Sequence, residues 1–160
     1  MAESRILNFG EPRDQARVGI DFYGVAMDKT LSEVFGEFTY SQSMSYEDLL
    51  NNEQKLLENL DRIFLDAGAE YLDFTPLGDI LKLQCGFETH DLDLFQEIAR
   101  KIAGVLPGKV RGRLVCLQKN LNSFHIYWLT SGQWQEADIE LPAKAPEHLP
   151  LHKLEDEKKI

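Results

Sequence analysis

The chain has 160 residues, 43% of them hydrophobic and 10% aromatic, with 27 acids against 17 bases for a net charge of -10. That is enough apolar side chain for one domain to bury a sizeable core, which excludes wholesale disorder. No apolar run approaches the ~20 residues that span a bilayer, and the negative balance opposes nucleic acid as a general partner.

The N-terminal MAESRILNFGEPRDQ lacks the basic start and apolar segment of a secretory signal, and neither Ala2 nor the terminal EDEKKI resembles a lipidation site. A cytoplasmic protein is expected. Cys85 and Cys116 each sit in an apolar, strand-like run, with no CxxC and no Cys/His group at zinc spacing. They read as small buried thiols, and no metal or cofactor is expected.

In chain order, residues 1–45 are the least regular. RVGIDFYGVAM reads as a strand, Thr30 and Glu33 read as the cap of a single helical turn ending near Gly36, and GEFTYS reads as a further short strand. These are expected to extend the sheet formed by the rest. The clearest element is a helix from Tyr46 to Ala67, with Ser45 as N-cap, Asp48 answering it, and Gly68 as the stop. Leu49, Leu50, Leu57, Leu60, Ile63 and Phe64 make its apolar stripe, against Asn51, Lys55, Glu58, Asn59 and Arg62. AEYLDFT and DILKLQCGFE then alternate as two strands around a Pro76–Gly78 turn.

A second helix is predicted over 91–105, burying Leu92, Phe95, Ile98, Ala99 and Ile102 and ending at Pro107-Gly108. Strands follow at 110–118, 123–129 and 133–141. The order is αββ-αβββ after a strand-rich N-terminal segment. The economical packing is an α+β two-layer sandwich, a mainly antiparallel sheet with both helices on one face. One domain is expected over 1–141, and PAKAPEHLPLHKLEDEKKI (142–160) reads as an extended or disordered arm.

Catalytic signatures are missing. GVLPGKV resembles a phosphate loop, but its glycines are one residue too close, and Val110 stands where the metal-binding hydroxyl belongs. No GxSxG or HExxH occurs. His148 and His152 are separated by Pro150, which prevents a shared helical face. Glu136, Asp138 and Glu140 alternate with apolar residues, as a half-exposed strand requires. No residue is assigned as catalytic or metal-binding.

One feature exceeds ordinary composition. No acid occurs between Ile98 and Gln135, where Arg100, Lys101, Lys109, Arg111, Arg113 and Lys119 all fall. Parity puts Lys109, Arg111, Arg113 and Lys119 on one face of a strand, with His125 and Tyr127 expected beside them on the next. A basic row facing away from the helices suits an acidic protein or a small anionic ligand, or it is scaffold that pairs with Glu136, Asp138 and Glu140. The sequence thus points to a small interaction module, binding another protein or forming a homodimer. The alternatives are a small enzyme built around His125, Tyr127 and Arg113, and an acidic inhibitor or immunity-type protein, for which only the charge speaks.

Overall fold

The computed structural model describes residues 29–155. The expected strand RVGIDFYGVAM lies outside these residues. The order of elements is β1 (Ser32–Tyr40), α1 (Tyr46–Asp66), β2 (Glu70–Leu77), β3 (Ile80–Phe87), α2 (Leu92–Val105), β4 (Val110–Gln118), β5 (Ser123–Thr130) and β6 (Gln133–Glu140). The strands form one six-stranded sheet in the order β2-β3-β1-β4-β5-β6, every neighbour antiparallel. Both helices cover one side, which makes the expected two-layer α+β sandwich. No helix among the described residues is long and apolar enough to cross a membrane.

The helices begin where their caps dictate. The Ser45 hydroxyl accepts from the Asp48 N–H at 3.2 Å, and the Asp91 carboxylate accepts from Asp93 and Leu94. Helix α1 ends at Gly68, whose φ of 88° is a left-handed terminus. Helix α2 ends at extended Leu106, because the following Pro107 disfavours a helical conformation in the residue before it. The buried line of α1 is Leu56, Leu60 and Phe64, with Leu49, Leu57 and Ile63 flanking it. Leu50, expected in the stripe, is exposed, and so is Leu92 of α2. Burying Phe95, Ile98 and Ile102 of α2 stabilises the fold by roughly 1.5 to 3 kcal/mol each as an upper estimate.

The N-terminal expectation is corrected at Thr30–Gly36. No helical turn forms there; Ser32–Tyr40 is one nine-residue strand, and it lies in the middle of the sheet. The deciding pattern has period two: Val34, Phe38 and Tyr40 are buried, while Glu33, Phe35 and Thr39 face out. Gly36, which resembled a helix stop, lies beneath the core instead, where a Cβ would come 3.0 Å from Leu114 Cδ2. With β1 central, the chain fills one half of the sheet from the edge inward (β2 then β3) and the other from the centre outward (β4, β5, β6).

The core between sheet and helices includes Phe38, Leu60, Phe64, Leu81, Phe87, Phe95, Leu114 and Tyr127. Cys85 and Cys116 are free and buried. Both stand opposite Val34, on either side of it, so two strand spacings separate them, about 9 to 10 Å. A disulfide needs Cα atoms about 4.4 to 6.8 Å apart. Residues 142–155 form no helix or strand and are exposed throughout.

Candidate functional site

The side of the sheet away from the helices is uncovered among the described residues, and its side chains fall into rows set by the register. One row runs Glu33, Leu117, Phe124, Ile139; the next runs Gln84, Phe35, Val115, Ile126, Ala137. The third runs Lys82, Glu37, Arg113, Trp128, Gln135, and Thr39 and Arg111 begin the fourth. The open face is therefore polarised. One end is apolar and the other is charged, with Trp128 at the boundary.

Phe35, Trp128 and Ile139 are 36%, 42% and 37% exposed, and their apolar neighbours in the first two rows are half-buried. Taking about 150 to 250 Å² for a large apolar side chain, the patch presents on the order of 400 Å². Three hollows among the described residues touch this face, and the first and last below reach round the end of the sheet to the core-side Leu129 and Tyr40. The largest, about 880 Å³, is lined by Arg111, Trp128, Thr130 and the Gln133–Gln135 segment of β6. A second, about 300 Å³, lies over β1 and β3 between Phe35, Glu37, Lys82 and Arg113. A third, about 340 Å³, is lined by Thr39, Gly108, Lys109 and Arg111, with no carboxylate in its wall.

The six residues singled out by sequence are not brought together. Arg111 and Arg113 share the open face as expected, and Lys109 joins Arg111 in the third hollow. Lys119 lies past the opposite end of β4, about 33 Å along the strand from Lys109 at 3.3 Å per residue. Between them β4 presents Val115 and Leu117, so the basic row covers only half the strand.

His125 and Tyr127 are on the other side of the sheet. They stand opposite Cys116 and Leu114, and facing residues of an antiparallel pair share a side, so both point toward the helices. His125 is 8% exposed and Tyr127 is fully buried. The enzyme reading that joined them to Arg113 thus loses its geometry. The expected pairing of the basic row with Glu136, Asp138 and Glu140 fails for the same reason. Those acids stand on the helix side of β6, and β5 separates β6 from β4. Arg113 instead faces Glu37 at 3.8 Å, both partly exposed, a contact worth about 0 to 1 kcal/mol. Arg111 forms no ion pair with the described residues.

Beneath β5 and β6 a separate polar group is assembled. His125 Nδ1 stands 3.4 Å from Asp138 Oδ1, without the alignment of a hydrogen bond, and its ring stacks at 6.3 Å on Tyr127. Tyr127 packs in turn against Trp134, and Gln96 of α2 donates to both oxygens of Glu136. Burial, with Cys116 and Glu136 nearby, pushes the Tyr127 phenol well above its ordinary value. None of the three hollows is lined by His125, Tyr127 or Asp138. Among the described residues no group of three His, Cys, Asp or Glu side chains could hold a metal ion.

The residues that sequence reasoning passed over are the apolar ones of the open face. A signal for them exists in SFHIYWLT, which is apolar at both parities: Phe124, Ile126 and Trp128 on one side, Tyr127 and Leu129 on the other. A strand with one solvated face alternates with polar residues, and this one departs from that pattern on its open side. The chain matches no family model, no curated protein and no solved structure.

Proposed function

We propose that this protein is a small interaction module that pairs with a second copy of itself through the open face of its sheet. The observation that carries the reading is the contiguous apolar patch from Phe35 through Ile126 to Ile139. At on the order of 400 Å² it equals the largest patches found on monomers and supplies about half of one partner's share of a standard interface. Charge supports a like partner. Two chains of net -10 repel at a distance, yet this face carries Glu33, Glu37 and Asp73 against Lys82, Arg111 and Arg113 and is locally neutral. Two such faces can meet without a charge penalty, and the polar row supplies an orienting rim.

Sedimentation at micromolar concentration tests this. The parent is expected at twice 18.3 kDa, and Ile126→Glu, placed in the patch, is expected to run as the monomer. A parent that sediments only at 18.3 kDa refutes the reading.

A second reading rests on the third hollow, where Lys109 and Arg111 converge without a carboxylate. It suits an acidic side chain of a partner protein or a small anion. Titration with polyglutamate and with inorganic phosphate separates the two. Arg111→Gln is expected to abolish binding with stability unchanged, and binding that survives the substitution removes this reading.

A further inference from the structure

The sheet has two edges, and they are built differently. At β2 the register slips between Glu70 and Asp73, Tyr71 takes a φ of 56°, and Pro76 interrupts the donors. A bulge and a proline are how an edge is closed to further strands. At β6 none of this is present. Its eight residues pair in unbroken register with β5, from Ser123 opposite Glu140 to Thr130 opposite Gln133, with no proline, glycine, lysine or arginine. Its outward N–H and C=O groups meet no strand among the described residues.

We propose that the β6 edge is a docking site for an extended segment that carries basic residues at alternate positions and apolar residues between them. The incoming strand would extend the sheet by backbone hydrogen bonds, and the two faces of β6 set its sequence. On the helix side β6 presents Glu136, Asp138 and Glu140, opposite Tyr127, His125 and Ser123. On the open side it presents Ala137 and Ile139, continuous with Ile126 and Phe124. Arg100 and Arg113 pair with Glu97 and Glu37 and not with the three acids.

The same acids exclude a second copy from this edge. Facing residues of an antiparallel pair share a side, so two fully overlapped β6 strands related by a two-fold axis, with their helices on one side of the sheet, would set acid against acid. Like charges directly opposite destabilise a pair. The edge is closed to its own kind and open to a strand of opposite charge. This inference is independent of pairing through the open face.

The test uses the full chain and a dye-labelled peptide of alternating lysine and valine. It is expected to bind, and its counterpart with glutamate for lysine is not. Neutralising the row with Glu136→Gln, Asp138→Asn and Glu140→Gln together is expected to weaken binding about tenfold. Backbone pairing is read on the peptide, so that no protein variant need be trusted to fold. All lysine amides lie along one edge of the extended peptide and all valine amides along the other. Methylating one set abolishes binding and methylating the other spares it; both sets tolerated, or both fatal, overturns the proposal. Hydrogen exchange supplies the last arm. The outward β6 amides exchange freely in the unliganded protein and slow when the peptide binds. Protection before any peptide is added would mean that the chain's own segment or a second copy fills the edge, and the proposal fails. Binding that persists in Phe35→Glu, a substitution in the open-face patch three strands away from β6, separates this edge from the open face, and binding lost there overturns the proposal.

Discussion

Gly112 lies between Arg111 and Arg113, on the core side of β4, opposite Phe38 of β1. A Cβ placed there would come 2.7 and 2.8 Å from Phe38 Cε1 and Cδ1 and 3.4 Å from Leu129 Cβ. Carbon atoms prefer about 3.5 to 4.0 Å, so the overlap with the ring is close to an ångström. Phe38 is fully buried and cannot swing away. Overpacking of this kind costs about 1 to 3 kcal/mol, and replacing glycine in a strand returns about 0.5 to 1 kcal/mol of backbone entropy. Gly112→Ala is therefore expected to destabilise by about 1 to 2 kcal/mol, a fall in Tm of about 3 to 6 °C for a chain of this size.

Gly36→Ala is the internal control. Its added carbon meets the far end of the Leu114 side chain at 3.0 Å and Leu83 at 3.4 Å, with no ring edge in the way, and the loss should be under about 1 kcal/mol. Thermal and urea unfolding of both variants, with Phe38→Leu and the Gly112→Ala/Phe38→Leu double variant, form the assay. Removing the ring edge should recover part of the cost, a coupling of about 0.5 kcal/mol or more. A Gly112→Ala protein as stable as the parent, or strictly additive with Phe38→Leu, refutes the reasoning.

Burial raises both thiols, Cys116 to about 12 and Cys85 further, so neither is expected to react with a thiol reagent at neutral pH until the protein unfolds; rapid labelling of native protein would contradict the packing described. Desolvation and then the neighbouring His125 hold the His90 imidazole below its ordinary 6.5, partly offset by Asp138. The unfolded chain then takes up a proton before the folded one does, so the His90 contribution is full above 6.5 and is lost as pH falls below it. Glu53, raised by burial, acts in the opposite sense in its own lower range, so the measurement is Tm against pH for the parent beside His90→Gln. The variant should show the flatter profile below 6.5, and identical profiles would dismiss His90 as the source. Removing the chain beyond Leu141 should lower Tm by no more than about 2 to 4 °C, because residues 142–155 are exposed throughout; a larger loss would make that segment part of the packed structure.

Periodicity and caps were enough to place α1, α2 and the strands from β2 onward, because each signal is local. Ser45 and Asp91 satisfy orphan amides within one turn, and alternation over Leu81, Leu83 and Cys85 needs only a pleat and one buried side. The failure at Thr30–Gly36 also has a local cause. Thr, Glu and Gly at helix-capping intervals looked like a turn, and what overruled them was the packing of Val34 and Phe38 against strands about 50 and 80 residues away in the chain. The basic stretch was legible as a charge imbalance, and parity within β4 correctly put Arg111 and Arg113 on one side.

What sequence alone determined was therefore which residues of each strand share a side. Which side of one strand meets which side of the next depended on register, and register is decided by the turn between Lys119 and Asn122 and by the burial of Tyr127 against Leu114. Because side chains in a strand alternate with period two, one residue of slip exchanges the two faces completely. Sequence reasoning set His125 and Tyr127 beside the arginines. The tertiary structure set them under the sheet and put Trp128, Ile126 and Phe124 in their place.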